Sequence, residues 1–197
     1  MNTVTAFLSL LALLKDTHAL PTTDVTAKYD DLPSTQPSTN PPNSYDGLGY
    51  SEWDIASSPA IQIGGVVGPS APNRIIAGFN TEAPGTAPSL TVLSPYTSFR
   101  FLDFYFGCAT RTDEGTANLA TECTITVSGF TKAGDSTAST TATFEFQPPL
   151  VEVAPVNMTH AVLPSAFQNM DLQEVTVLPN APEVNGLLMD NVHYSLK

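Results

Sequence analysis

The chain has 197 residues, with 19 acidic against 7 basic side chains and a net charge of −12. That imbalance repels phosphate backbones and anionic lipid surfaces. It excludes nucleic-acid binding driven by Lys and Arg neutralising phosphates. The length suits one domain with appendages.

Residues 1–19 read as a signal peptide. The apolar run Ala6-Phe7-Leu8-Ser9-Leu10-Leu11-Ala12-Leu13-Leu14 is shorter than the roughly 20 residues that span a bilayer. Thr17-His18-Ala19 gives a small-x-small cleavage site. Only the α-amino group supplies positive charge before the apolar run. The C-terminus lacks the hydrophobic tail of a lipid-anchor signal. A secreted or wall-retained protein is expected, with no membrane segment.

Residues 20–44 read as a disordered linker. Pro21, Pro33, Pro37, Pro41 and Pro42 alternate with Ser and Thr, with little apolar surface to offset the cost of ordering. It serves equally as an O-glycosylated stalk or as a spacer.

The folded domain is expected over 45–197. Tyr45–Ile55 mixes turn glycines with aromatics. Strand candidates then follow at short spacing: Ile61–Val67, Arg74–Phe79, Leu90–Leu93, Phe99–Cys108, Cys123–Gly129, Ala138–Phe146, Val151–Val153, His160–Leu163, Glu174–Leu178 and Leu187–Leu196. At most a turn of helix fits Gly115–Ala120 or Pro164–Met170. Strands this close together pair antiparallel, so an all-β sandwich of about 8–10 strands is expected.

The stretch Phe99–Phe146 carries the clearest pattern. Cys123, Ile125 and Val127 are apolar and alternate with Thr124, Thr126 and Ser128; Ala142, Phe144 and Phe146 alternate with Thr141, Thr143 and Glu145. Each of these strands has one buried and one wet face. Phe99 and Phe101 lie on one parity, Phe104 and Phe106 on the other. Either a bulge shifts the register near Phe101-Leu102 or both faces are covered. In an oxidising compartment Cys108 and Cys123 are expected to pair. Asn157-Met158-Thr159 is an N-glycosylation sequon.

Catalytic signals are weak. No G-x-S-x-G elbow is present, and His160 and His193 read as lone surface histidines. Asp46, Asp54 and Asp113-Glu114 read as an acidic solvated surface. Trp53, with Tyr45 and Tyr50, either forms a platform that stacks on sugar rings or packs into the core edge. Asp190 is the acid out of place, because its register matches Leu188, Val192, Tyr194 and Leu196. A buried carboxylate needs partners. Three outcomes stay open: backbone N–H groups at a strand bend, a structural calcium shared with Glu52, or a register shift near Gly186.

Leu187-Leu188-Met189-Asp190-Asn191-Val192-His193-Tyr194 resembles the closing strand of galactose-binding-like jelly-roll domains, which many carbohydrate-binding modules share. Tyr45–Ile55, Phe104–Cys108 and Cys123–Phe130 are similar to secreted fungal proteins of that shape, none with a transferable activity. The resemblance spans about 45–197. It implies a jelly-roll sandwich and a structural calcium at Asp190. The functions it leaves are a non-catalytic cell-wall or carbohydrate-associated protein, an effector-like module acting on a host or other extracellular protein, and a polysaccharide-active enzyme.

Overall fold

The computed structural model of the chain describes residues 21–33, 43–57, 65–77, 87–111, 118–149, 155–180 and 186–197. The expected signal peptide, the Pro-rich run 34–42, Asp113-Glu114 and the strand expected at Val151–Val153 lie outside them.

The first described elements are β1 (Thr23–Ala27), β2 (Ser44–Tyr45), β3 (Leu48–Ser51), β4 (Asp54–Ser57), β5 (Val66–Val67), β6 (Asn73–Ala77) and β7 (Ser89–Val92). The long strand β8 (Phe99–Arg111) follows, then β9 (Asn118–Ala120), β10 (Cys123–Phe130) and β11 (Thr140–Phe146). After these come β12 (Val156–Asn157), β13 (Thr159–Val162), one helical turn α1 (Ser165–Gln168), β14 (Glu174–Pro179) and β15 (Gly186–Leu196). No helix among the described residues is long and apolar enough to cross a membrane.

The strands form an antiparallel sandwich, the expected fold class. One sheet runs β13-β8-β15-β6-β4, with β1 also on β15 and β9 also on β8; the other runs β11-β10-β14-β7-β3-β2. Only β5 and β12 pair parallel among the described strands. The alternation read in β10 is the one built: Cys123, Ile125, Val127 and Gly129 are buried and their neighbours half-buried. Phe104 meets Phe144 and Phe106 meets Phe146, so β8 faces β11 across the core. Rings of this size stabilise by about 1.5–3 kcal/mol each when fully buried.

Cys108 and Cys123 form the expected disulfide and are 0% and 3% exposed. It joins β8 of one sheet to β10 of the other. Strand β8 is central, with β13 and β9 along one edge and β15 along the other. The bulge, one of the two alternatives left open near Phe101-Leu102, is present as well. Phe101 pairs with Tyr194 and Asp103 with His193, which leaves Leu102 without an opposite residue.

Three elements depart from the sequence expectation. The linker expected over 20–44 is structured in part, since Thr23–Ala27 pairs with Leu196–Val192. Tyr29, just beyond, is 0% exposed. The free edge of β15 supplies backbone partners that a Ser/Thr/Pro-rich segment lacks on its own. Tyr45–Ile55 holds a hairpin whose two-residue turn is Asp46-Gly47, with φ of 48° and 84°, the Asp-Gly pattern of a type I′ turn. A side chain at Gly47 would also collide with Leu196. Finally, Asn118–Ala120 is strand rather than helix, because it pairs with β8.

Replacing Cys108 by Ser should lower the melting temperature of the oxidised protein by roughly 6–12 °C. That range follows from about 3 kcal/mol for a loop of this size spread over a domain of this length. Thermal melts with and without reductant check it. A melting temperature indifferent to both would contradict a bridge that supports the core.

Candidate functional site

Strands β8 and β15 each carry one irregularity, and together these build the site. From Asp190↔Tyr105 to His193↔Asp103, β15 spends two intervening residues, Asn191 and Val192, against Phe104 alone. Asn191 takes φ 45° to do so. The Leu102 bulge on β8 then restores the register. Directly opposed residues in an antiparallel pair share a face. Tyr194 therefore joins Phe101 in the core, whereas Asp190 shares the outer face with Tyr105.

Asp190 is nonetheless 0% exposed. The segment between β5 and β6 covers it from outside. A Cβ on Gly68 would collide with an Asp190 carboxylate oxygen, so only glycine passes this closely. Ser70 donates its backbone N–H to Oδ2 at 3.0 Å and its hydroxyl to Oδ1 at 2.8 Å. The Asn191 N–H donates to Oδ1 at 2.8 Å. Burial pushes the carboxyl above its usual range, and the three hydrogen bonds oppose that shift.

Of the outcomes open for Asp190, backbone donors at a strand irregularity match this geometry. A calcium ligand does not. Donors fill three of the roughly four lone-pair positions of the carboxylate, and the Arg74 guanidinium also acts on it. Glu52 sits at the β3–β4 turn with φ 62°. Among the described residues no group of three or more His, Cys, Asp or Glu side chains could hold a metal.

Trp53, Tyr45 and Tyr50 do not present an open platform. Trp53 is 0% exposed, and its Nε1 finds no hydrogen-bond partner among the described residues. Tyr50 is 5% exposed, and its hydroxyl lies 3.3 Å from that of Tyr29. Tyr45 is half-buried against Tyr29 and donates to Asp31 at 2.7 Å. Tyr29 packs on the Tyr45 and Tyr50 rings, and it belongs to the stretch expected to be linker. Of the two readings kept for Trp53, packing at the core is the one built. Asn157 is exposed on β12.

The outer face of the first sheet carries a cluster that sequence reading took for two lone histidines. The Asp103 carboxylate lies between two imidazoles, with Oδ1 3.0 Å from His160 Nε2 and Oδ2 2.8 Å from His193 Nδ1. His193 Nε2 continues the chain to Asp24 Oδ1 at 3.1 Å. Tyr105 stacks on His160, with ring centroids 4.5 Å apart and planes 14° from parallel. Burial alone would raise Asp103, but hydrogen bonds from the two imidazoles hold it below the usual carboxylate range. Burial alone would lower His193, but Asp103 and Asp24 together raise it. Both His193 nitrogens face carboxylates, so neither is open to take a proton from a hydroxyl nucleophile. The one signal in the sequence was Asp103, a charge inside an aromatic run.

No family model and no curated protein matches the sequence. Solved structures similar to the chain include a DUF4465 family protein from Bacteroides caccae, at 15% identity and TM-score 0.48 over 78% of this chain and 75% of that one. A second is the K1 cleaved adhesin domain of Lys-gingipain from Porphyromonas gingivalis, at 11% identity and TM-score 0.47 over 89% and 98%. Of the fungal carbohydrate-binding-module resemblance, the β-sandwich fold is the part that the strand pairing supports.

Ser70→Ala removes one hydrogen bond to a buried carboxylate and should cost about 1.5–3 kcal/mol of stability, read by denaturant titration. Chelation with EDTA should leave the melting temperature unchanged. A drop of several degrees on chelation would reinstate a structural calcium.

Proposed function

We propose that the chain is a secreted, non-catalytic β-sandwich that works by contact, with cell-wall polysaccharide as its ligand class. The carrying observation is the row Tyr105, His160, Asp103, His193 and Asp24 on the outer face of the first sheet. Planar rings beside carboxylates and imidazoles suit a polyhydroxylated ligand, which offers C–H faces for stacking and hydroxyls for hydrogen bonds. The buried disulfide supports an oxidising, extracellular setting. In that setting Asn157 is a glycan acceptor, and its exposure on β12 suits the role.

A protein partner is the second reading. Val162 is 55% exposed on β13, whose other edge has no strand partner among the described residues. Such an edge accepts an added strand.

Polysaccharide pull-down and glycan-array binding test the first reading. Wild type should bind at least one wall polymer, and Tyr105→Ala should weaken that binding about tenfold, the loss of roughly 1.4 kcal/mol. Failure to bind any polymer sinks the polysaccharide reading and leaves the protein contact. For Asn157, the secreted protein should lose mass on enzymatic deglycosylation, and Asn157→Gln should abolish that shift.

A further inference from the structure

Among the described residues, strand β1 pairs with one strand only. Its five residues pair with β15, and its other edge has no strand partner among the described residues. Its side-chain tie to the outer face is Asp24, whose Oδ1 lies 3.1 Å from His193 Nε2. The same imidazole places Nδ1 2.8 Å from Asp103 Oδ2.

A carboxylate only accepts hydrogen bonds, and a neutral imidazole has only one N–H. Both contacts are satisfied together only when His193 is an imidazolium. A neutral ring sets a bare nitrogen lone pair against one carboxylate. Asp103 keeps the N–H, because its contact is shorter and its side chain is 26% exposed against 71% for Asp24. The contact given up is therefore the one to β1. We propose that β1 is a pH-responsive strap, latched to the outer face through an imidazolium at His193 and loosened from the edge of β15 when that proton leaves.

The groups around His193 agree with this direction. Strand β8 contributes Asp103 and, one pair further along, Tyr105; β13 contributes His160 to the same Asp103 carboxylate; β1 contributes Asp24. On β8, Arg100 is turned to Asp171 at 3.3 Å. On β15 itself, Asp190 is enclosed by Ser70 and Asn191. Burial works against the charged ring, but the two carboxylates outweigh it and raise His193. Stabilisation from such a group is complete below the ordinary imidazole value of about 6.5 and is lost as pH climbs through the raised folded-state value. The strap is tight at mildly acidic pH and loosens toward alkaline pH.

Backbone hydrogen exchange on the full folded chain tests this, from about pH 5.5 to about pH 8.5, bracketing imidazole titration. Rates are corrected for intrinsic exchange, and β10 amides serve as the control for global opening. Wild-type protection over Asp24–Ala27 should fall about tenfold across that range, the loss of roughly 1.4 kcal/mol, while β10 does not follow. Asp24→Asn should flatten the dependence, because an amide offers an oxygen to N–H or an N–H to a bare nitrogen. It substitutes an exposed residue, so it keeps the test readable if His193→Gln disturbs folding. Wild-type protection independent of pH, or the same tenfold fall in Asp24→Asn, would overturn the proposal.

Discussion

The pairing of β8 with β15 is the constraint on which the rest of the structure depends. It is the longest ladder among the described residues, running from Gly186↔Ala109 to Leu196↔Phe99. It puts Phe101 beside Tyr194 and Phe106 beside Met189, all 0% exposed. Without its irregularities, the apolar residues of each strand would be split between its two faces. The extra residue on β15 and the bulge on β8 offset each other. They keep the core filled at both ends while turning Asp190, Asp103 and His193 outward between them. A single slip would have reversed every side chain beyond it, so two compensating shifts are the economical way to change face locally.

The edge of β15 also changes partner at that point. β6 pairs with Leu187–Met189 and β1 with Val192–Leu196, so Asp190 and Asn191 lie at the handover. Among the described residues no strand partner on that edge faces Asp190. The Gly68–Ser70 segment supplies the missing donors, and it is the chain leading into β6. The buried carboxylate thus binds the covering segment to the irregularity. This gives Asp190 a structural reason to be enclosed.

The parts of this arrangement legible in sequence were those set by local alternation. β10, β11 and the β8 bulge all follow from which positions are apolar, and the disulfide follows from two cysteines in an oxidising setting. What could not be read depends on contacts distant in sequence. Thr23–Ala27 has no apolar stripe of its own and becomes a strand only because β15 offers an edge. Trp53 stayed open between platform and core because the ring that packs on its companions Tyr45 and Tyr50, Tyr29, comes from elsewhere. Asp190 was expected on the face of Tyr194, since period-2 counting carries straight through Asn191, where the backbone takes φ 45°. His160 and His193 looked alone because the partner they share, Asp103, lies 57 and 90 residues away.

The two ends of the N-terminal strand are tied very differently, and that asymmetry gives the latch its direction. Past Ala27 the chain is stitched to the start of β6. Asn73 Nδ2 donates to the carbonyls of Tyr29 and Leu32 at 3.1 and 2.7 Å, and the Asn73 N–H donates to Asp30 at 3.2 Å. Tyr29 is buried among Tyr45 and Tyr50. Opening that end would expose apolar rings and strand buried polar groups, both costly. At the other end stand Thr23, Asp24 and a half-buried Val25, with the imidazolium contact as the side-chain hold. Any release therefore begins at Thr23 and stops at Tyr29. What it frees is the backbone edge of Val192–Leu196, beside the row of rings and carboxylates, so the proton on His193 governs how much of that face is open to a partner.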